Sequence, residues 1–200
     1  MTPIMYAPHS RGYSALELLL AVSVAMTLSG VAIPQLQAAV DDYRAAGAAR
    51  YVATRVQRAR MEAVGRSANV ALRFTATASG YAFAMYADGN GDGVLTKDIT
   101  KGIDPRVGAV EQLADTFAGV DFGVLPGLPP VESGSPAPGT DPIKLGAGDL
   151  LSFSASGTSS SGSLYIRGRG GAQYVLRVLG ETGRARLLVF DPQRKKWRPL

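Results

Sequence analysis

The sequence predicts an α+β protein in which one long N-terminal helix packs on an antiparallel β-sheet head. Three observations support this fold class. Residues 13–35 form an apolar run, the following residues to about 65 keep apolar side chains at helical spacing, and residues 66–200 hold short strand-like segments between glycine-rich turns. A chain of 200 residues has room for one such head beside the helix but not for two large domains.

The apolar run is the predicted transmembrane part of the helix. Its length, from about 13 to 35, exceeds the roughly 20 residues that a membrane-spanning helix needs. Glu17 is the only charged residue in the run, and a carboxylate at the centre of a span costs roughly 2.5 kcal/mol or more. Glu17 is therefore a candidate functional residue. The alternative is that it lies near the end of the span and reaches the lipid headgroups.

A glycine, an aromatic residue and a glutamate open this run: Gly12, Tyr13 and, five positions after the glycine, Glu17. The arrangement resembles the processing site of type IV pilins and of the pseudopilins of type II secretion. The resemblance implies that a prepilin peptidase removes a leader of residues 1–12 and that Tyr13 becomes the methylated N-terminus. It also implies that Glu17 serves assembly by neutralising the terminal amine of a neighbouring subunit, which would offset the cost of an acid in an apolar bundle.

A secretory signal peptide is the competing interpretation of this N-terminus. Such a peptide has a basic start, an apolar core of about 7–15 residues and a small-residue cleavage site. Here the apolar run is longer, and its acid stands near the start. The prepilin interpretation has two departures from the family, because Tyr13 replaces the usual phenylalanine and only His9 and Arg11 are cationic side chains in the leader. We favour the prepilin interpretation.

The second half of the helix is predicted to be amphipathic. Pro34 should kink it, because proline removes one backbone hydrogen bond. Apolar or small residues then recur at three- and four-residue spacing, at positions 40, 43, 47, 51, 52, 56, 59 and 63. Arginines at 44, 50, 55, 58, 60 and 66 are expected on the opposite side, so this half should pack on the head through its apolar stripe.

The head is predicted to be an antiparallel sheet. Strand-like segments occur at 70–74, 81–86, 119–124, 150–153, 163–167, 174–179 and 186–190, with glycine-containing turns between them. Residues 126–142 are rich in proline, glycine and serine and predict a flexible loop. The order of these pieces, with a Gly/Ser-rich segment at 151–164 and Gly183 to Arg186 after it, resembles the GspH/FimT-type minor pseudopilins.

One loop has the spacing of a calcium site. Asp88, Asn90 and Asp92 alternate with glycines, as at the start of an EF-hand loop, where oxygen ligands converge on Ca²⁺. The acid that would complete the loop, Asp98, stands one place before the twelfth position, which is Ile99. An ordinary hairpin turn has the same composition. Both interpretations stay open, and Ca²⁺ is the one cofactor that the sequence suggests.

Catalysis has little support in the sequence. Cysteine is absent, and the single histidine, His9, lies in the predicted leader. A mature chain without residues 1–12 would therefore lack a serine–histidine–acid triad and a histidine-based zinc site. Phosphate-loop and dinucleotide fingerprints are also missing. We expect no catalytic residues and no enzyme activity.

Cations gather near the end of the sequence, at Arg184, Arg186, Arg194, Lys195, Lys196 and Arg198, around the only tryptophan, Trp197. Such a group can bind phosphates and stack a base. Some members of the resembling family serve DNA uptake and carry a Gly-Arg-x-Arg element, which Gly183, Arg184 and Arg186 match. A solvated, frayed terminus is the alternative.

The sequence as a whole predicts a structural assembly protein. The resemblance implies a minor pilin or pseudopilin in a type II secretion pseudopilus or a type IV pilus, held in the inner membrane as a single-pass protein with its head in the periplasm. Its partners would be other pilin or pseudopilin subunits, prepilin peptidase and an inner-membrane assembly platform. The alternative is a minor pilin that binds DNA. The helix arginines run against the positive-inside rule for this orientation, and we give the leader precedence.

Overall fold

The computed structural model describes residues 12–132, 134–146 and 148–200, and the predicted leader, with His9 and Arg11, lies outside this range except for Gly12. The first element is helix α1, Ala15–Arg66, which continues through Pro34. Two compact units divide inside this helix, between Ala39 and Val40. The described part of the first unit is a single helix, and the second unit combines the rest of α1 with two β-sheets.

Both sheets of the second unit are antiparallel. The first has the order β3-β2-β1-β6, built from β1 (Val70–Thr77), β2 (Gly80–Ala87), β3 (Arg106–Gln112) and β6 (Leu150–Phe153). The second has the order β10-β9-β8-β7-β4, with β4 (Val120–Phe122), β7 (Gly162–Gly168), β8 (Gln173–Leu179), β9 (Arg184–Asp191) and β10 (Lys196–Pro199). The short β5 (Ile143–Lys144) also pairs with β7. The predicted α+β fold with a long helix is confirmed.

Alanines form the seam where α1 packs on the head. The buried residues of the helix are Ala45, Ala48, Ala49, Val52, Val56, Ala59 and Ala63, and they join side chains of both sheets in one core cluster. Two predicted stripe residues are not part of the seam, because Val40 is exposed and Tyr43 is 79% exposed. The predicted stripe was therefore wrong at its N-terminal end. The buried side chains of the helix are small because the helix lies close to the sheets.

Helix α1 comes close to the second sheet at Gly168, the last residue of β7. A Cβ atom placed on Gly168 would stand 2.7 Å from the Cβ of Ala45, which is closer than two such atoms normally come. The contact is less tight at Gly170, two residues later, because a Cβ placed there would stay 3.7 Å from the Cβ of Asp41. The glycine at the end of β7 is thus required by the helix rather than by its own backbone angles.

Several elements were not predicted. They are α2 (Thr96–Lys101), β3, α3 (Leu113–Thr116), β5 and β10. The predicted strand at 119–124 is shorter than expected, since pairing with β7 covers Val120–Phe122 alone. The frayed-terminus alternative is also wrong, because β10 pairs with β9 and the N–H of Leu200 donates to the carbonyl of Leu187 at 3.2 Å.

The proline-rich segment 126–142 has several anchors on the second sheet. Leu128, Pro138 and Pro142 are buried, and the carbonyl of Pro129 accepts a 3.0 Å hydrogen bond from Nε1 of Trp197. A cavity of about 400 Å³ lies under part of this segment, against Tyr165 and Arg177. The flexibility of the loop stays a prediction, but its described residues make specific contacts.

Candidate functional site

The predicted processing and assembly residues lie at the start of α1. Gly12 and Tyr13 are exposed and precede the helix, and Glu17 lies in its first turn. The Oγ of Ser14 accepts a 3.3 Å hydrogen bond from the N–H of Glu17, so Ser14 caps the helix. Ser-x-x-Glu is the pattern of a capping box, in which the glutamate also suits the helix start. This local signal was visible in the sequence, and the bond that the structure shows uses the main-chain N–H of Glu17 rather than its carboxylate.

The helix that follows exposes an apolar surface on all sides. It qualifies as a candidate membrane span, with a mean hydropathy of 2.1 over its most apolar window and none of that window buried within the chain. Leu16 and Met26, for example, are 77% and 70% exposed. The hydroxyls of Ser23 and Thr27 donate to main-chain carbonyls of the preceding turn, at 2.7 and 2.9 Å. Such internal bonds satisfy polar groups where no water is present.

A polar cluster joins the second half of α1 to edge strand β3. The hydroxyl of Tyr51 donates to Oε2 of Glu111 at 2.6 Å, and Nε of Arg55 donates to the same oxygen at 3.0 Å. Nη2 of Arg55 also donates to the Tyr51 hydroxyl at 2.7 Å. The predicted outward-facing arginine stripe was therefore wrong at Arg55. No local pattern could have found this cluster, because Arg55 and Glu111 are 56 residues apart.

The electrostatics of this cluster follow from its half-buried position. Burial raises the pKa of Tyr51, and its hydrogen bond to the Glu111 carboxylate raises it further. For Arg55 burial acts to lower the pKa, but the hydrogen bond with Tyr51 and the charge of Glu111 outweigh burial and raise it. The guanidinium also stands 4.8 Å from the centre of the Tyr51 ring, within cation–π range. The cluster thus holds one balanced charge pair between helix and sheet.

A second helix arginine also turns toward the head. Nε of Arg60 donates to the carbonyl of Gly157 at 2.9 Å, which fastens the Gly/Ser-rich segment after β6 to α1. The predicted outward position holds better for Arg50 and Arg58, which are exposed. The Gly/Ser-rich segment that carried part of the family resemblance is therefore a packing element in this chain.

The carboxylate of Asp88 organises the predicted calcium loop. Its two oxygens accept four hydrogen bonds, from the side chain of Asn69 and from the N–H groups of Asn90, Gly91 and Gly93. Burial acts to raise the pKa of Asp88, but these bonds to the charged form outweigh it and hold the pKa below its ordinary value. Asp88 therefore acts as the centre of an Asx-type turn in this structure.

Two further acids of the same region are buried. Asp104 closes the loop from the far side, since its oxygens accept the N–H groups of Gly89 and Leu95 at 3.1 and 3.0 Å. Asp98, in α2, is 3% exposed. Across the described part of the chain, no group of three His, Cys, Asp or Glu side chains is placed to hold a metal ion. The EF-hand ligand set of Asp88, Asn90, Asp92 and Asp98 is not assembled, and calcium binding stays a prediction.

The C-terminal cations are divided between two faces of the second sheet. Arg184 and Arg186 are two residues apart on β9 and so share one face of it, and Lys196 and Arg198 likewise share one face of β10. Lys196 pairs with Asp191 and Arg198 pairs with Val189, so both share the face opposite to Arg184 and Arg186. Arg194 and Lys195 belong to the turn between the strands. The single basic cluster that the sequence suggested is therefore split.

The aromatic residue among these cations has a structural role. The ring of Trp197 lies 5.4 Å from that of Phe190 and 6.2 Å from that of Tyr165, between centres. Its indole N–H is bonded to Pro129. Because the ring is held by these contacts, base stacking on Trp197 has no support in the structure.

Comparison with known proteins gives three matches. Residues 48–183 match the family of type II transport protein GspH. The pilin-like protein PilA1 of Thermus thermophilus is 43% identical over 84 residues, which cover 40% of this chain. The chain thus matches 49% of the length of that curated relative. The minor pseudopilin EpsH of the Vibrio cholerae type 2 secretion system aligns with a TM-score of 0.45 and 17% identity, over 73% of this chain and 97% of that one.

The family match covers most of the β-rich head and the part of α1 that packs on it. It agrees with the resemblance to GspH-type proteins that the leader motif, the long helix and the C-terminal strands suggested. The chain belongs to the GspH family of type II transport proteins.

Proposed function

We propose that this chain is a minor pilin or pseudopilin, a structural subunit of a type II secretion pseudopilus or a type IV pilus. The observation that carries the proposal is the first unit, a helix with its apolar side chains exposed and one acid in its first turn. An apolar surface of this size requires cover, first by the membrane and then by helices of neighbouring subunits. Family membership supports the same function.

Processing would create the group that Glu17 recognises. Prepilin peptidase would cut after Gly12, in the exposed segment before α1, and leave a methylated ammonium on Tyr13. That cation would stand beside the N-terminus of a helix, where the helix dipole is unfavourable for positive charge. A carboxylate from the Glu17 of a neighbouring subunit would neutralise it in the apolar bundle. An inner-membrane assembly platform would bring the two subunits together.

The capping contact of Ser14 makes a sharp test of Glu17 possible. Glu17→Gln removes the charge but keeps a side chain that suits the capping box, whereas Ser14→Ala removes the cap and keeps the charge. We expect both variants to insert and to be processed. Glu17→Gln should be depleted from filaments purified by shearing or pull-down, and Ser14→Ala should be incorporated. Normal incorporation of Glu17→Gln would contradict the assembly role.

We place the chain in the inner membrane with its head in the periplasm. The apolar span, in which Glu17 is the one charged residue, supports the anchor. The arginines that follow it argue against the orientation by the positive-inside rule. Protease treatment of spheroplasts checks the orientation directly, because a periplasmic head is cut before the cells are lysed. Protection of the head until lysis would reverse the proposed topology. Mass spectrometry of the same extract should find Tyr13 as the N-terminus.

DNA binding is the second candidate function, and one observation favours it. Arg186 pairs directly with Arg177 across β9 and β8, and Arg184 lies on the same face. Like charges opposite each other are unfavourable, so an anion on this face would be stabilising. Phosphate contacts should weaken steeply with salt. Glu132, 3.4 Å from Arg177, partly neutralises the face.

A gel shift with detergent-solubilised full chain and duplex DNA tests this second function. Changing Arg184 and Arg186 together to Gln should weaken binding more than changing Arg50 and Arg58, which are also exposed but lie on α1. Retention that is equal in both double variants would indicate general charge attraction. No retention at roughly physiological salt, about 150 mM, would remove the DNA function and leave the structural one.

A further inference from the structure

One oxygen of the buried Asp98 carboxylate has no hydrogen bond. The residue is 3% exposed, and its Oδ2 has no hydrogen-bond partner among the described residues. Leaving a buried carboxylate oxygen unsatisfied is costly, and native structures normally provide a partner, a water or an ion. By contrast, both oxygens of Asp88 and both of Asp104 are satisfied by the loop. Asp98 is the unsatisfied acid of this region.

A single ammonium group shows where a cation is attracted. Nζ of Lys97 lies 3.8 Å from Oδ2 of Asp98 and 3.9 Å from Oδ2 of Asp92. Two carboxylate oxygens, one from the loop after β2 and one from α2, therefore lie within 4 Å of the same positive charge. Neither distance is short enough for a hydrogen bond, which needs about 2.7–3.2 Å. The lysine side chain is largely exposed and can move away.

We propose that Asp92 and Asp98 bind Ca²⁺ at this position, in exchange for the ammonium of Lys97. Calcium accepts six to eight oxygen ligands at about 2.3–2.6 Å and could serve both carboxylates, with water and loop carbonyls completing its shell. This ligand set differs from the EF-hand pattern, because Asp88 shapes the turn and does not bind the ion. Two carboxylates place the site among weak calcium sites, with a dissociation constant of roughly 10⁻⁴–10⁻³ M.

Lys97 makes the proposal specific, because its ammonium would compete with calcium for the two carboxylates. Removing the lysine should raise the calcium affinity, and removing either acid should lower it. If Lys97 were only a solvent-exposed residue of α2, its removal would not raise the calcium affinity. Lys101, in the last turn of the same helix, is exposed and provides the matched control for loss of one positive charge.

The test uses the full chain in detergent, with CaCl₂ as the probe, measured by equilibrium dialysis of radioactive calcium and by thermal unfolding. We expect one calcium ion per chain. Asp92→Asn and Asp98→Asn should each weaken binding about tenfold or more, since ligand charge sets affinity in such sites. Lys97→Ala should strengthen binding several-fold, and Lys101→Ala should leave it unchanged. Calcium should also raise the unfolding temperature, because it binds the folded state alone.

Three results would overturn the proposal. The first is that no calcium binds at about 10 mM CaCl₂, which is well above the expected dissociation constant. The second is that both Asp variants bind calcium with unchanged affinity, and the third is that the two lysine variants change the affinity equally. If Asp98→Asn does not fold, the comparison of Lys97→Ala with Lys101→Ala still decides, because it predicts a gain of affinity. Asp88→Asn separates the ligand sets, because a variant that unfolds at the original temperature but loses binding as strongly as Asp92→Asn would favour the EF-hand pattern.

Discussion

The contact between Gly168 and Ala45 gives the sharpest stability prediction. Gly168→Ala places a methyl group 2.7 Å from the Cβ of Ala45, so helix or strand must shift. Overpacking of this kind costs about 1–3 kcal/mol. A gain of about 0.4–1 kcal/mol from the stiffer unfolded chain offsets part of it, because the φ of Gly168 does not require glycine. We expect a net loss of about 1–2 kcal/mol.

Thermal unfolding of the full chain in detergent, followed by circular dichroism, measures this loss. For a chain of this size 1 kcal/mol corresponds to about 2–4 °C, so the midpoint should fall by about 2–8 °C. Gly170→Ala is the matched control, since its new methyl group would stay 3.7 Å from the Cβ of Asp41 and should not lower the midpoint.

Ala45→Gly provides the rescue. Alone it should destabilise α1 by up to about 1 kcal/mol, because glycine is a poor helix former. Combined with Gly168→Ala it should cost less than the sum of the two single changes, with a coupling energy of about 1–3 kcal/mol as expected for residues in contact. Additive single effects, or equal midpoints for Gly168→Ala and Gly170→Ala, would refute the close approach.

Three further predictions concern the head. The pKa of Asp88 is lower in the folded state than in the unfolded chain. Ionised Asp88 therefore stabilises the fold fully above the unfolded pKa, and this stabilisation is lost as pH falls through the folded pKa. In an acid titration, Asp88→Asn should not show this loss of stability. Glu111→Ala should cost about 1–3 kcal/mol because it leaves Arg55 without its anion, whereas Glu62→Ala, at an i,i+4 pair, should cost about 0.5 kcal/mol or less; urea unfolding compares them. Trp197→Phe should speed proteolytic cleavage in the 126–142 loop, because Pro129 loses its donor; unchanged cleavage would show that the indole bond does not hold the loop.

Sequence reasoning found the elements that have a local pattern. The long helix follows from hydropathy and spacing, and the central strands β1, β2, β7 and β8 follow from dense runs of β-branched and aromatic residues. Edge strand β3 was missed because most of it is exposed and Gly108, at a φ of 94°, interrupts its pattern. β10 was missed because its four residues include two cations, a composition typical of an exposed chain end rather than of a strand.

The candidate sites divide in the same way. Gly12, Tyr13 and Glu17 belong to one short motif, so the sequence alone could single them out. The partner of Arg55 depends on a strand that begins 51 positions later in the chain, and no spacing rule reaches it. The faces of the C-terminal cations depend on strand register, which pairing sets and composition does not. The unsatisfied oxygen of Asp98 is likewise a property of tertiary packing.

The bond from Trp197 to Pro129 also sets an order of events during synthesis. The acceptor leaves the ribosome 68 residues before the donor. At about 5–20 residues per second, this separation is a delay of roughly three to fourteen seconds. During that interval the proline-rich segment has no indole to hold it, while α1, β1 and β2 are already complete in the chain. The nascent chain therefore exposes this segment to proteases until Trp197 has been made, and closure of the loop on the indole is a late step of folding.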